Sequence, residues 1–212
     1  MMKLLSATPS PYARKVRIAL AEKGVPFDLI TEVPWNADTR TPKYNPLEKL
    51  PVLILDDGET VYESSFILEW LETRHPEPPM LPDDPEQRLA ARRFEVLADG
   101  VCDAFVLYFW EGLRDAEKRS RPWMARQKRK IDGGLCEIAR LVPADAAFCV
   151  GDRFGLADIA VGTVLDYLSL RFPDHDWRAR HPHLETRLAR LSERPSFRAT
   201  RPRLQDVDGA AV

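Results

Sequence analysis

The 212-residue chain is 44% hydrophobic and 30% charged, with 31 basic and 33 acidic side chains. That balance describes a folded protein with room for a substantial core, and it gives no electrostatic reason to expect a polyanionic partner. No stretch approaches the ~18 apolar residues of a membrane-crossing helix, and the three cysteines, Cys102, Cys136 and Cys149, have neither disulfide-framework nor zinc-site spacing.

Lys3 to Ser6 is a short apolar run that predicts a strand. Leu4 and Leu5 are too few for the core of a signal peptide, and the odd cysteine count suits a reducing compartment, so the expected location is cytoplasmic. Pro11 to Lys23 predicts a helix with Tyr12, Val16, Ala19 and Leu20 on one face. Ser10 stands at its N-cap, Pro11 at its first position and Gly24 just past its end. Phe27 to Val33 predicts a second strand, and Pro34 to Pro46 is polar and irregular. Val52 to Leu55 reads as a buried strand, and Asp57-Gly58 as a tight turn into Glu59 to Tyr62. Ser64 or Ser65 is then expected to cap a helix running through Thr73, with Phe66, Ile67, Trp70 and Leu71 buried.

Pro76 to Pro85 holds five prolines in ten residues, which no helix or central strand can accommodate. The expected organisation is an α/β domain over 1–76, a linker over 77–86 and an all-α domain over 87–212. The helical part begins at Pro85, capped by Asp84, and runs to about Arg114. Arg121 to Leu141, Leu156 to Leu170, Pro182 to Glu193 and a short piece from Ser196 to Thr200 complete it. Residues 1–76 carry 9 basic and 11 acidic side chains, and the remainder 22 of each. The basic run from Lys118 to Lys130 therefore reads as a solvated helix face, and neither a nucleic-acid nor a membrane partner is expected.

Five segments, in this order, carry a resemblance: Ser6-Ala-Thr-Pro-Ser-Pro-Tyr-Ala-Arg-Lys-Val-Arg-Ile-Ala-Leu, Asn45-Pro-Leu-Glu-Lys-Leu-Pro-Val-Leu, Glu63-Ser-Ser-Phe-Ile-Leu-Glu-Trp-Leu, Gly151-Asp-Arg-Phe-Gly-Leu-Ala-Asp-Ile-Ala and Arg194-Pro-Ser-Phe. With the proline-rich linker, they make nearly the whole chain resemble a cytosolic glutathione S-transferase of the serine type. The resemblance implies a thioredoxin-like N-terminal domain, a helical C-terminal domain, a homodimer, and glutathione as co-substrate without a metal.

The chemistry of such an enzyme rests on the thiolate. A thiol with a pKa near ~8.5 is mostly protonated at neutral pH, and only its anion is a good nucleophile. The start of a helix supplies both a hydroxyl and a positive end to stabilise that anion. Ser10 is the residue that the resemblance puts in this role, with Thr8 as its backup; on the residues alone, Ser10 is a helix cap. Tyr12 falls on the core face and reads as packing. Residues 1–101 contain no cysteine, so a mixed disulfide with a protein thiol at this turn is excluded.

For the tripeptide, the resemblance assigns Leu50 and a cis Pro51 to its cysteinyl backbone, Lys49 to its glycyl carboxylate, and Glu63 and Ser64 to its γ-glutamyl end. Read alone, these are a trans proline opening a strand, a solvated lysine and a helix cap. Phe105, Tyr108, Phe109 and Trp110 cluster on the long helix; Tyr108 is the expected wall of the electrophile pocket. The expected activity is attack of glutathione thiolate on a small electrophile. The alternatives are glutathione-dependent reduction of disulfides or peroxides without a protein cysteine, and a non-catalytic binding module. Gly155 departs from the family's Ser or Thr, which predicts a weaker start for the helix that follows.

Overall fold

The computed structural model describes residues 1–207. Strands β1 (Lys3–Ser6), β2 (Asp28–Thr31), β3 (Val52–Ile54) and β4 (Thr60–Tyr62) form one sheet in the order β2-β1-β3-β4. β1 pairs in parallel with β2 and antiparallel with β3, which pairs antiparallel with β4. Helix α1 (Pro11–Glu22) makes the crossover that a parallel β1–β2 pair requires. Alternation in the central strand divides the core. Leu4 joins Val16, Leu20, Leu53, Ile67 and Leu71 beneath α1 and α2 (Ser64–Arg74). Leu5 joins Ala7, Leu50 and Val52 on the other face.

Helices α3 (Pro85–Leu113), α4 (Arg121–Leu141), α5 (Leu156–Arg171), α6 (Trp177–Arg180), α7 (Pro182–Ser192) and α8 (Pro195–Ala199) make up the helical part. α5 is buried along most of its length, the position expected of an apolar helix surrounded by others. The result is a thioredoxin-like α/β unit followed by an all-α unit.

Several local expectations are corrected. Helix α2 is capped by Glu63, not by a serine. Its buried residues Ser64, Ile67, Leu68 and Leu71 follow one helical stripe, and Phe66 falls outside it and is exposed. The 3₁₀ turn Ala116–Lys118 and α6 were not anticipated, because such short pieces carry no full helical period. The second strand is shorter than expected, being a mostly exposed edge paired on one side. At Gly155, an added Cβ would lie 2.6 Å from the Met80 carbonyl oxygen, while Asp158 still accepts from the Gly155 N–H at 3.2 Å. Close approach of the backbone therefore calls for glycine here, and half of the capping box survives.

Ion pairs, one of them with a buried arginine, join the two parts. Arg14 of α1 meets Asp166 of α5 at 2.5 Å, and Glu22 meets Arg194 at 2.7 Å. All three cysteines are free; Cys102 and Cys149 are buried and Cys136 is exposed. Burial raises the Cys102 and Cys149 thiols well above the ordinary range. Among the described residues, no helix is long and apolar enough to cross a membrane, and no group of three His, Cys, Asp or Glu side chains could hold a metal ion.

Candidate active site

Sheet register brings three separate segments to one edge. Leu5 lies opposite Val52, and Val52 opposite Tyr62. Because β3 runs against both neighbours, the end of β1, the start of β3 and the end of β4 are level. The Ala7–Ser10 turn and Glu63-Ser64 directly follow β1 and β4, and Leu50-Pro51 directly precedes β3, so all three segments adjoin those ends.

Ser10 closes the turn with its N–H on the Ala7 carbonyl at 3.1 Å. It is half-buried, and its hydroxyl oxygen accepts from the Ala13 N–H at 3.2 Å. A hydroxyl that accepts in this way keeps its own proton to donate. Thr8 is engaged elsewhere: its hydroxyl donates to the Arg203 carbonyl at 3.0 Å and its N–H to Gln205 Oε1 at 2.9 Å. Tyr12 packs partly against the core, as its position on the core face suggested, and its hydroxyl also bonds Asp103.

The Leu50–Pro51 peptide is cis. Ahead of it, Asn45 organises the loop, with Nδ2 donating to the Lys49 carbonyl at 2.8 Å and Oδ1 accepting from Leu47 at 2.9 Å. Leu50 is buried, and the Lys49 side chain is exposed.

Glu63 adopts φ 73°, the left-handed region that non-glycine residues rarely enter. Its carboxylate accepts from the Ser65 N–H at 3.1 Å, from the Ser64 hydroxyl at 3.3 Å and from the Ser65 hydroxyl. Burial disfavours its charge, but these bonds and nearby Lys15 outweigh burial and hold Glu63 below the usual carboxylate range. Lys15 is buried, 2.7 Å from Asp99 and 3.4 Å from Glu95. Burial pushes Asp99 up to about 6 against the pull of Lys15, with Glu95 and Glu63 adding to the rise.

This ionic cluster behind Glu63 was not anticipated. The available signal was Lys15 itself, three residues after Tyr12 and four before Ala19, a charge on the face read as core. Asp103 meets Tyr12, and Tyr108 is five residues on, about 140° further round α3. Its ring packs on Phe172 with centroids 5.6 Å apart. Trp110 returns to the face of Asp103 and meets Trp35, which extends from the loop after β2, at 4.2 Å.

A thioredoxin-like sheet and its helices, followed by a helical unit, define the class of fold. The comparisons identify the family: residues 9–74 match the glutathione S-transferase N-terminal domain and residues 121–186 the C-terminal domain. The chain belongs to the glutathione S-transferase family. It is 37% identical to an uncharacterised GST-like protein, YibF, of Escherichia coli K12, over 95% of this chain and 98% of that one. It is 63% identical to a glutathione S-transferase of Methylobacterium radiotolerans solved with glutathione sulfonate, with a TM-score of 0.96 and coverage of 98% and 97% of the two chains. A Methylobacillus flagellatus glutathione S-transferase solved with glutathione bound is 40% identical, with a TM-score of 0.90 and coverage of 95% and 100%.

Proposed function

We propose that the chain is a glutathione transferase in which the Ser10 hydroxyl donates to the glutathione sulfur and stabilises the thiolate for attack on an electrophilic small molecule. The observation that carries this reading is the convergence of Ser10, Leu50 and Glu63-Ser64 on one sheet edge. The bound tripeptide in related structures supports it. The first turn of α1 adds its positive end to the hydroxyl bond. Leu50 pairs with the cysteinyl backbone of the tripeptide, and Pro51 shapes the chain beside it. Ser64 and the N-terminus of α2 receive the γ-glutamyl carboxylate, Glu63 its ammonium, and Lys49 the glycyl carboxylate. Thr8 contributes by shaping the turn, since its hydroxyl is committed to Arg203. Trp35 and Trp110 form an apolar wall for the electrophile.

In this reading, residues 1–76 form the glutathione-binding domain, 77–86 the linker and 87–212 the helical domain, of which 208–212 lie outside the described residues. The protein acts as a cytoplasmic homodimer; exposed Phe66 on α2 and Leu89 and Val96 on α3 support an interface there.

The test is an ultraviolet titration of bound glutathione. Wild-type protein is expected to lower the thiol pKa by about one to two units, roughly a 10- to 100-fold rise in thiolate at a given acidic pH. Ser10→Ala should return it close to the free value. An unchanged titration in that variant would remove the role given to the hydroxyl.

A further inference from the structure

The Ala7–Ser10 turn is also held from outside, by residues almost two hundred positions away. Beyond α8 the chain continues without regular structure and returns to the end of β1. There the Gln205 side-chain oxygen accepts from the Thr8 N–H at 2.9 Å, and its amide nitrogen donates to the Glu32 carbonyl at 3.5 Å, a weaker bond. The Arg203 carbonyl accepts from the Thr8 hydroxyl at 3.0 Å. Glu32 itself continues the ladder of β2, donating its N–H to Ser6 at 2.9 Å.

The Gln205 amide thus bridges two backbone groups where the β1–β2 pairing ends. Its oxygen and nitrogen act there as the carbonyl and N–H of a neighbouring strand would. Thr8 needs this partner, because the turn's own bond runs from Ser10 to Ala7 and leaves the Thr8 N–H pointing away. A half-buried N–H without an acceptor is costly.

We propose that Gln205 is a positioning residue for Ser10, fixing the height of the hydroxyl over the glutathione sulfur; the proposal rests on the assignment of Ser10 above. Only Pro9, with its fixed φ, separates Thr8 from Ser10, so a displacement of Thr8 is passed on rather than absorbed. The Ala13 N–H restrains the hydroxyl from inside and the Gln205–Arg203 segment restrains the turn from outside. A hydrogen bond to sulfur depends steeply on direction, so a loosened turn weakens thiolate stabilisation while the tripeptide contacts at Leu50 and Glu63 remain.

The test compares wild type, Gln205→Met, Gln205→Glu and Ser10→Ala, using glutathione titration and turnover of an activated aryl halide. Gln205→Met keeps the side chain's length and loses both bonds. It is expected to raise the bound thiol pKa by about half a unit to one unit and to lower kcat about 3- to 10-fold near neutral pH. The KM for glutathione should stay near wild type, the Tm should fall by about a few degrees from the unpaired Thr8 N–H, and the loss should shrink at alkaline pH, where the thiol ionises unaided. Gln205→Glu retains an acceptor for Thr8 and should recover most of the loss. A Gln205→Met enzyme with a wild-type thiol titration and pH profile overturns the proposal, as does a loss expressed only in KM or Tm. If Ser10→Ala also leaves the titration unmoved, the serine assignment fails first; if Ser10→Ala abolishes the shift and Gln205→Met does not change it, the positioning role alone fails.

Discussion

Ser10 and Glu63 are both helix caps, yet only one was legible from its neighbours. Ser-Pro ahead of an apolar helical stripe is a chemical signature of a helix start, and Ser10 takes that place. Glu63 carries no such signature, because positive φ is a property of the folded chain that a glutamate does not advertise. The neighbouring serines were the natural caps; instead their hydroxyls donate to the Glu63 carboxylate. This backbone conformation has a measurable cost. Glu63→Gly and Glu63→Ala both remove the carboxylate, but only glycine adopts the left-handed region freely. Glu63→Gly should therefore be more stable than Glu63→Ala by about 1 kcal/mol in urea denaturation. Equal midpoints and slopes would argue against the left-handed backbone at this residue.

At the level of elements, helices with strong caps and long stripes were read almost to the residue. α3 and α4 have Asp84 and Ser120 at their N-caps, each bonding an N–H of the first turn, and a proline within that turn. α2 was misphased because its short stripe competes with Phe66, whose size suggests burial while its position forbids it. Gly155 shows the opposite lesson: local capping rules predicted a deficit, and the packing partner reverses the sign. As a cap, a serine there gains only about a few tenths of a kcal/mol over glycine. Its Cβ also collides with the Met80 carbonyl, and such overpacking costs about 1–3 kcal/mol. Gly155→Ser is therefore expected to lower stability, as read from its urea midpoint. A rise in the midpoint would mean that the linker backbone near Met80 yields easily.

For the whole molecule, the division into an α/β part and a helical part was legible from the proline run and the change of periodicity. The join between them was not. Arg14 looks like the solvated side of an amphipathic helix and Lys15 falls on the face read as core, but neither names its partner; both are buried against carboxylates contributed by α5 and α3. Such pairing depends on which helices become neighbours, a tertiary fact with no local pattern. Arg14 is only 2% exposed and also bonds Thr200 and the Phe197 carbonyl. Removing its partner with Asp166→Asn leaves a buried cation poorly compensated, so a loss of about 3 kcal/mol is expected in equilibrium unfolding. A loss below about 1 kcal/mol would class the pair with exposed ones. The distribution of cysteines has a practical consequence at this same scale. With Cys102 and Cys149 enclosed and Cys136 open on α4, outside the Ser10 edge, the native protein offers one accessible handle for maleimide chemistry. A fluorophore or surface linker attached there would hold every molecule in the same orientation.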